Sequence, residues 1–237
     1  WLIIDHIRTN GWLADKLKFS LIASGLIQGC LAIYQFFTQT TFAFKWLGLS
    51  LNDIREPGTS AIEFLDERWL RAYGAFPHPN ILGGFLAICL LVAILALWNH
   101  KQKIKERGEI VRADYYFNIF YWASLVIMFA GLLFSFSRSA ALALIVGFVY
   151  LTILAIKKKM KFAWLVNLKA AIVFLAIVGL FLAGFPYQLL TTRLDPQARL
   201  EKWSLEQRIT AAKQAQSIFK EQPLLGIGLG NYTKEMQ

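Results

Sequence analysis

At 237 residues, 57% hydrophobic and 15% aromatic, with positive mean hydropathy, the chain is too apolar for a soluble domain of its size and ordinary for a membrane protein. The formal net charge of +10 raises the question of a nucleic-acid partner. The basic residues are split among loops between apolar stretches rather than massed on one face, which argues against one.

The first segment, 1–18, carries Arg8, Lys16 and Lys18 and has no signal-peptide pattern. The chain starts at Trp1 and stops shortly after a glycine-rich turn, so it is expected to be part of a longer membrane protein. No internal repeat is visible. Five apolar stretches reach the roughly 20 residues a bilayer crossing needs. They lie near Phe19–Phe37, Asn80–Trp98, Tyr115–Phe136, Ser139–Ile156 and Ala170–Phe185. Phe162–Leu168 extends the last to 162–185, enclosing a Lys169 close enough to the interface to snorkel. Cys30 and Cys89 fall in separate spans without a CxxC, so they read as small buried hydrophobes rather than a metal site or disulfide.

Between the first two spans, loop 38–79 holds Lys45, Arg55, Arg68 and Arg71 against five acids. Arg71 has Glu67 at i−4, which reads as a solvated surface pair. Pro77 and Pro79 fix an extended approach to the second span, and Asn80 is placed to cap the incoming helix. His78, held between the prolines, is either a structural part of the turn or a base or proton shuttle. Gly83 and Gly84, one turn in, permit close helix contact.

Loops 99–114 and 157–161 hold Lys101, Lys103, Lys105, Arg107, Arg112, Lys157, Lys158, Lys159 and Lys161. With the first segment they carry twelve of the chain's 25 basic residues in short loops, which makes these loops cytoplasmic by the positive-inside rule. Loop 38–79 and the tail 186–237 then face the other side. Tyr115–Ile156 is 42 residues, about 63 Å as one helix and twice the hydrocarbon thickness. It must reverse, and Ser137-Arg138-Ser139 is the polar interruption where it does so. Ser137 or Ser139 caps the following helix. Arg138 stands at the helix start, where the dipole disfavours a cation and welcomes an anion. Two readings stand: a guanidinium reaching lipid phosphate, or an anion site built from arginine and helix amides.

In the tail, Ser204-Leu-Glu-Gln207 reads as a capping box that starts a helix from about Leu205 to Gln222, stopped by Pro223. Leu205, Ile209, Ala212, Gln216 and Phe219 recur at helical spacing, so this amphipathic helix should lie on something. Arg208 has no acidic neighbour at i±3 or i±4; it either covers apolar surface or awaits an anion. Gly226, Gly228 and Gly230, ahead of Asn231, form either a plain flexible turn or an amide nest for an anion.

Three pieces thus stand in order: "LRAYGAFPHPNILGGFLA", "FSFSRSAALAL" and "LEQRITAAKQAQSIFKEQPLLGIGLGNY". Together they resemble the O-antigen ligase and O-antigen polymerase family of bacterial inner-membrane glycan transferases, from about residue 20 to the end. The resemblance implies glycan transfer from a polyprenyl-diphosphate carrier to an acceptor hydroxyl on the external, periplasmic face. The acceptor is a lipid-core sugar, another carrier-linked repeat unit or a protein side chain. It implies no cofactor and no metal. Two family arginines that engage the diphosphate correspond to Arg138 and Arg208. Gly226, Gly228, Gly230, Asn231, Arg71, His78 and Asn80 join them as candidate substrate-binding residues. The family's catalytic histidine lies further along the same external segment, past the glycine turn, and His78 does not match it.

The expected molecule is therefore all-α: a polytopic membrane helix bundle over 1–185, then the start of a large external segment over 186–237. It sits in the bacterial inner membrane with lipid neighbours and a lipid-linked glycan donor. The alternative is a polytopic transporter or flippase that recognises an anionic lipid-linked substrate without covalent chemistry.

Overall fold

The computed structural model describes residues 11–47, 49–56, 58–64, 67–185, 199–223, 226–228 and 231. Six α-helices account for most of them: α1 Gly11–Thr38, α2 Pro79–Arg107, α3 Arg112–Phe134, α4 Arg138–Lys157, α5 Lys161–Gly184 and α6 Arg199–Glu221. The first five are long and apolar enough to cross a membrane, so the chain is a polytopic, mainly helical membrane protein.

Each span lands where apolar length required it, and the boundaries differ where charged residues continue a helix. α2 runs past Trp98 to Arg107 because Gln, Lys and Glu are good helix formers, and Gln102 pairs with Glu106 one turn on. Gly108, at φ 80°, then ends it with its N–H on the Ile104 carbonyl. α5 is one continuous helix through an exposed Lys169, as the extended reading required.

α2 is the central element and packs against α1, α3, α4 and α5. The tightest pairing besides is α1 on α3, where a Cβ added at Gly131 would fall 2.9 Å from the Cα of Gly29. Such close approach is how small residues join helices where lipid removes the hydrophobic drive. Cys89 is buried and Cys30 is exposed on α1, and both are thiols. A buried polar relay crosses the bundle. Trp98 Nε1 donates to Asn167 Oδ1 at 3.0 Å, and Asn167 Nδ2 donates to Thr152 Oγ1 at 3.0 Å, tying α2, α5 and α4. Each polar atom satisfied this way avoids the cost of burial in an apolar medium.

The helices alternate in direction, so the ends fall into two sets. One end gathers the C-termini of α1, α3 and α5 with the N-termini of α2 and α4. An aromatic cluster sits there: Phe36 stacks on Phe134 at 4.3 Å, with Phe136, Phe181 and Phe185 within 6.4 Å of Phe36. The segment between α1 and α2 covers this end and contains an antiparallel hairpin, β1 Ala61–Phe64 with β2 Glu67–Leu70, in register Ala61↔Leu70. The other end carries the lysine-rich loops.

Candidate functional site

Gln28 and Gln35 on one face of α1, with Gln39 just past its end, hold the approach to α2. Gln35, fully buried, accepts from the amides of Tyr73 and Gly74 at 2.9 and 2.8 Å and donates to the Gly74 carbonyl at 2.9 Å. Gln28 accepts from the Ala75 amide, and Gln39 from the Leu70 amide. A primary amide both donates and accepts, so it can mimic a peptide partner for an irregular backbone at membrane depth. Sequence reasoning missed them; polar amides inside an apolar span were the available signal.

Arg71 follows this hairpin. It is only 4% exposed, which overturns the surface pair with Glu67. That pairing assumed a helix, whereas residues 67–70 form a strand, and four residues along a strand span about 13 Å. Arg71 Nε donates to the Ser135 carbonyl at 2.9 Å, while its NH2 group donates to Asn80 Oδ1 at 2.7 Å and the Phe136 carbonyl at 3.4 Å. The next amide, Ala72 N–H, donates to the Phe134 carbonyl at 3.0 Å.

His78, not Asn80, is the N-cap of α2. Its Nδ1 accepts from the Asn80 amide at 3.1 Å, and Pro79 takes the first helical position, where its missing N–H costs nothing. Asn80 instead turns its side chain to Arg71. With Nδ1 accepting, the neutral ring carries its proton on Nε2, which faces Ser60 Oγ at 3.2 Å. This geometry fits the structural reading of His78. His78→Ala should lower stability by about 1 kcal/mol, the usual worth of an N-cap, read as a fall in unfolding temperature in detergent.

The reversal between α3 and α4 occupies residues 135–137. Phe136 adopts φ 47°, the left-handed conformation usual after a helix end but uncommon for a bulky residue. Ser137 is the cap of α4, accepting from the Ala140 amide at 3.4 Å, and Arg138 is the first helical residue, exposed. Gly83 of α2 abuts this turn: a Cβ there would lie 2.7 Å from Ser137 Cβ and 2.9 Å from both Ala140 Cβ and Ser135 Oγ. Gly84 faces open space, so of the predicted glycine pair only Gly83 makes the contact.

The starts of α2 and α4 are thereby side by side, and neither has an acidic residue in its first turn. The dipole makes each start partly positive and Arg138 adds a full charge, although at α2 the Asn80, Ile81 and Leu82 amides are already taken by His78. The arrangement is suited to an anion with several oxygens.

In the tail, α6 begins at Arg199, so Ser204 lies inside the helix and does not cap it. Arg208 falls in the third turn of this helix. It is exposed, as are Leu205, Ile209 and Phe219 of the apolar stripe, so no described element covers that face. Among the described residues α6 makes none of the principal helix pairings that build the bundle. After α6, Gly226 and Gly228 adopt φ 61° and 82°. The Gly226 amide donates back to Gln222, and Asn231 Nδ2 donates to the Ile227 carbonyl at 2.8 Å. These bonds shape a tight turn; Gly230 lies outside the described residues.

At the opposite end of the bundle, a cavity of about 550 Å³ is lined by Asp15, Lys18, Phe19, His100, Lys103 and Tyr121 among others. Its lysines are engaged: Lys18 and Lys103 both pair with Asp15, at 2.9 and 3.1 Å. The exposed arginine and the paired helix starts are at the hairpin end.

Against known proteins, the model of a family described as O-antigen ligase matches residues 123–237, from within α3 through the α3–α4 turn and α6. No curated protein and no solved structure matches the chain.

Proposed function

From the premise that this membrane protein carries an O-antigen ligase domain over residues 123–237, we propose that it transfers a glycan from a polyprenyl-diphosphate carrier to an acceptor hydroxyl. The hairpin end faces the periplasm in the bacterial inner membrane, and residues 186–237 begin an external segment. The lysine-rich end is cytoplasmic, as loops rich in Lys and Arg are retained there. The observation that carries the reading is Arg138, an exposed cation beside two adjoining helix starts in a bundle that spans the bilayer.

The chemistry follows from the leaving group. As the sugar–phosphate bond breaks, negative charge grows on the diphosphate, and preorganised cations and amides stabilise it without reorganising. Arg138 holds phosphate oxygens through its two-pronged guanidinium, aided by the amides of α4. Arg208 and the Gly226–Asn231 turn close on the same diphosphate from the external segment. Two fixed arginines supply the charge that soluble sugar-nucleotide enzymes often take from a divalent ion. The acceptor hydroxyl loses its proton to a base; the cap bond of His78 supports a structural part for it, and the resemblance gives the role of base to a histidine past the glycine turn.

The test is a proteoliposome reaction with one lipid-linked donor and three acceptor classes: a lipid-core oligosaccharide, a second carrier-linked repeat and an acceptor protein. A covalent product with one of them supports transfer and identifies the subtype. Donor crossing the bilayer with no covalent product on any acceptor contradicts the proposal and supports a transporter or flippase.

A further inference from the structure

We propose that Arg71 is the positioning residue for Arg138: it fixes the α3–α4 turn from outside and so sets the direction in which Arg138 leaves the bundle. This rests on the reading of Arg138 given above.

The two arginines stand on either side of one turn, at helix ends of opposite polarity. Arg71 lies against the C-terminus of α3, where unpaired carbonyls concentrate negative charge and a cation is favoured. Arg138 begins α4, where a cation is disfavoured and an anion is favoured. Arg71 is bonded to acceptors at the carbonyl end, and the dipole at the start of α4 favours an anion. The contacts of Arg71 are those that define the turn. Ser135 and Phe136 carbonyls have passed the end of the α3 ladder, and one planar guanidinium reaches both. The same group reaches Asn80 in the first turn of α2, so it ties the segment after the hairpin, the α3–α4 turn and the start of α2.

The turn needs such a tie. Phe136 is held at φ 47°, a conformation that costs a non-glycine residue about 1–2 kcal/mol, and Ser137 and Arg138 follow at once. If Phe136 relaxes, the cap and the first turn of α4 move with it. On the other side α2 lies so close that a Cβ at Gly83 would fall within 2.9 Å of Ser137 Cβ and Ala140 Cβ, so the junction is flanked on both sides. Lysine cannot replace Arg71, because an ammonium lacks the planar fork that spans three acceptors.

The test uses the full chain in proteoliposomes. Arg71→Lys is expected to lower kcat for glycan transfer by up to about 100-fold, the scale of a misplacement near 1 Å, with little change in donor KM. In an Arg138→Ala background the same change should cause no further loss; a fully additive loss would overturn the proposal. A second readout does not depend on activity. With Cys30 and Cys89 replaced by alanine, a cysteine introduced by Arg138→Cys is labelled with a charged methanethiosulfonate. Arg71→Lys should change its labelling rate several-fold, and an unchanged rate overturns the proposal. Should Arg71→Lys not fold, Asn80→Ala removes one of the three bonds and should produce a smaller change in the same rate; no change there is equally fatal. If Arg138→Ala transfers normally, the functional reading of Arg138 is wrong, while the labelling still decides whether Arg71 sets the turn.

Discussion

Arg138→Ala is expected to lower glycan transfer by about 10²–10³-fold, the usual cost of deleting one preorganised donor from a site of developing negative charge. The protein should still reach the membrane at normal levels. Arg138 is exposed at the first position of α4, and the cap that starts the helix belongs to Ser137. Exposed substitutions away from such features shift stability within about 0.5 kcal/mol. Removing a cation from the positive end of a helix is, if anything, favourable to the fold. Loss of transfer with retention of fold would thus separate a functional group from a structural one. Arg138→Lys keeps the charge and loses the two-pronged geometry, so it should fall between alanine and wild type. Initial rates of product formation from a lipid-linked donor measure the series; equal rates for all three proteins would remove Arg138 from the site.

The second large effect is expected at Gly83, by a different route. A leucine there places its Cβ 2.7 Å from Ser137 Cβ and 2.9 Å from Ala140 Cβ, before the rest of the side chain is accommodated. Neither neighbour is the end of a long flexible side chain, so the α3–α4 turn and α4 itself must shift. Overpacking of this kind costs about 1–3 kcal/mol and occasionally more. Gly83→Leu should depress the unfolding temperature in detergent and abolish transfer. Gly84→Leu is the control: a Cβ there meets nothing within 4 Å, so stability and transfer should stay near wild type. Equal behaviour of the two variants would contradict the packing described at this junction.

The five spans were legible because bilayer thickness sets their length. A polar tripeptide in the middle of 42 apolar residues located the α3–α4 reversal within a residue or two. The Ser137 cap and the extension of the fifth span through Lys169 were legible for similarly local reasons. What escaped depends on distant partners. Arg71 looked like a surface residue because Glu67 precedes it by four, but residues 67–70 form a strand rather than a helix, and its partners Ser135 and Phe136 lie far along the chain. Asn80 looked like the cap because asparagine caps well; with Pro79 at the first helical position the start moves back by two residues and the cap passes to His78. Gln28, Gln35 and Gln39 were invisible as a group until the loop they hold was in place. In the tail, the Ser204 box was sound by pattern, yet the helix runs back to Arg199 through it. A box motif marks a possible start; it does not prevent helical residues before it.

In the proposed site the α3–α4 turn, two adjoining helix starts and α6 together hold a diphosphate. The central claim is that Arg138 and Arg208 both grip that group during transfer. The most direct measurement is single-turnover transfer from a polyprenyl-diphosphate-linked glycan in proteoliposomes, comparing wild type with Arg138→Ala and Arg208→Ala at matched protein levels. Both variants are predicted to lose about 10²–10³-fold in rate while their unfolding temperatures remain near wild type. Wild-type rates in both would contradict the claim.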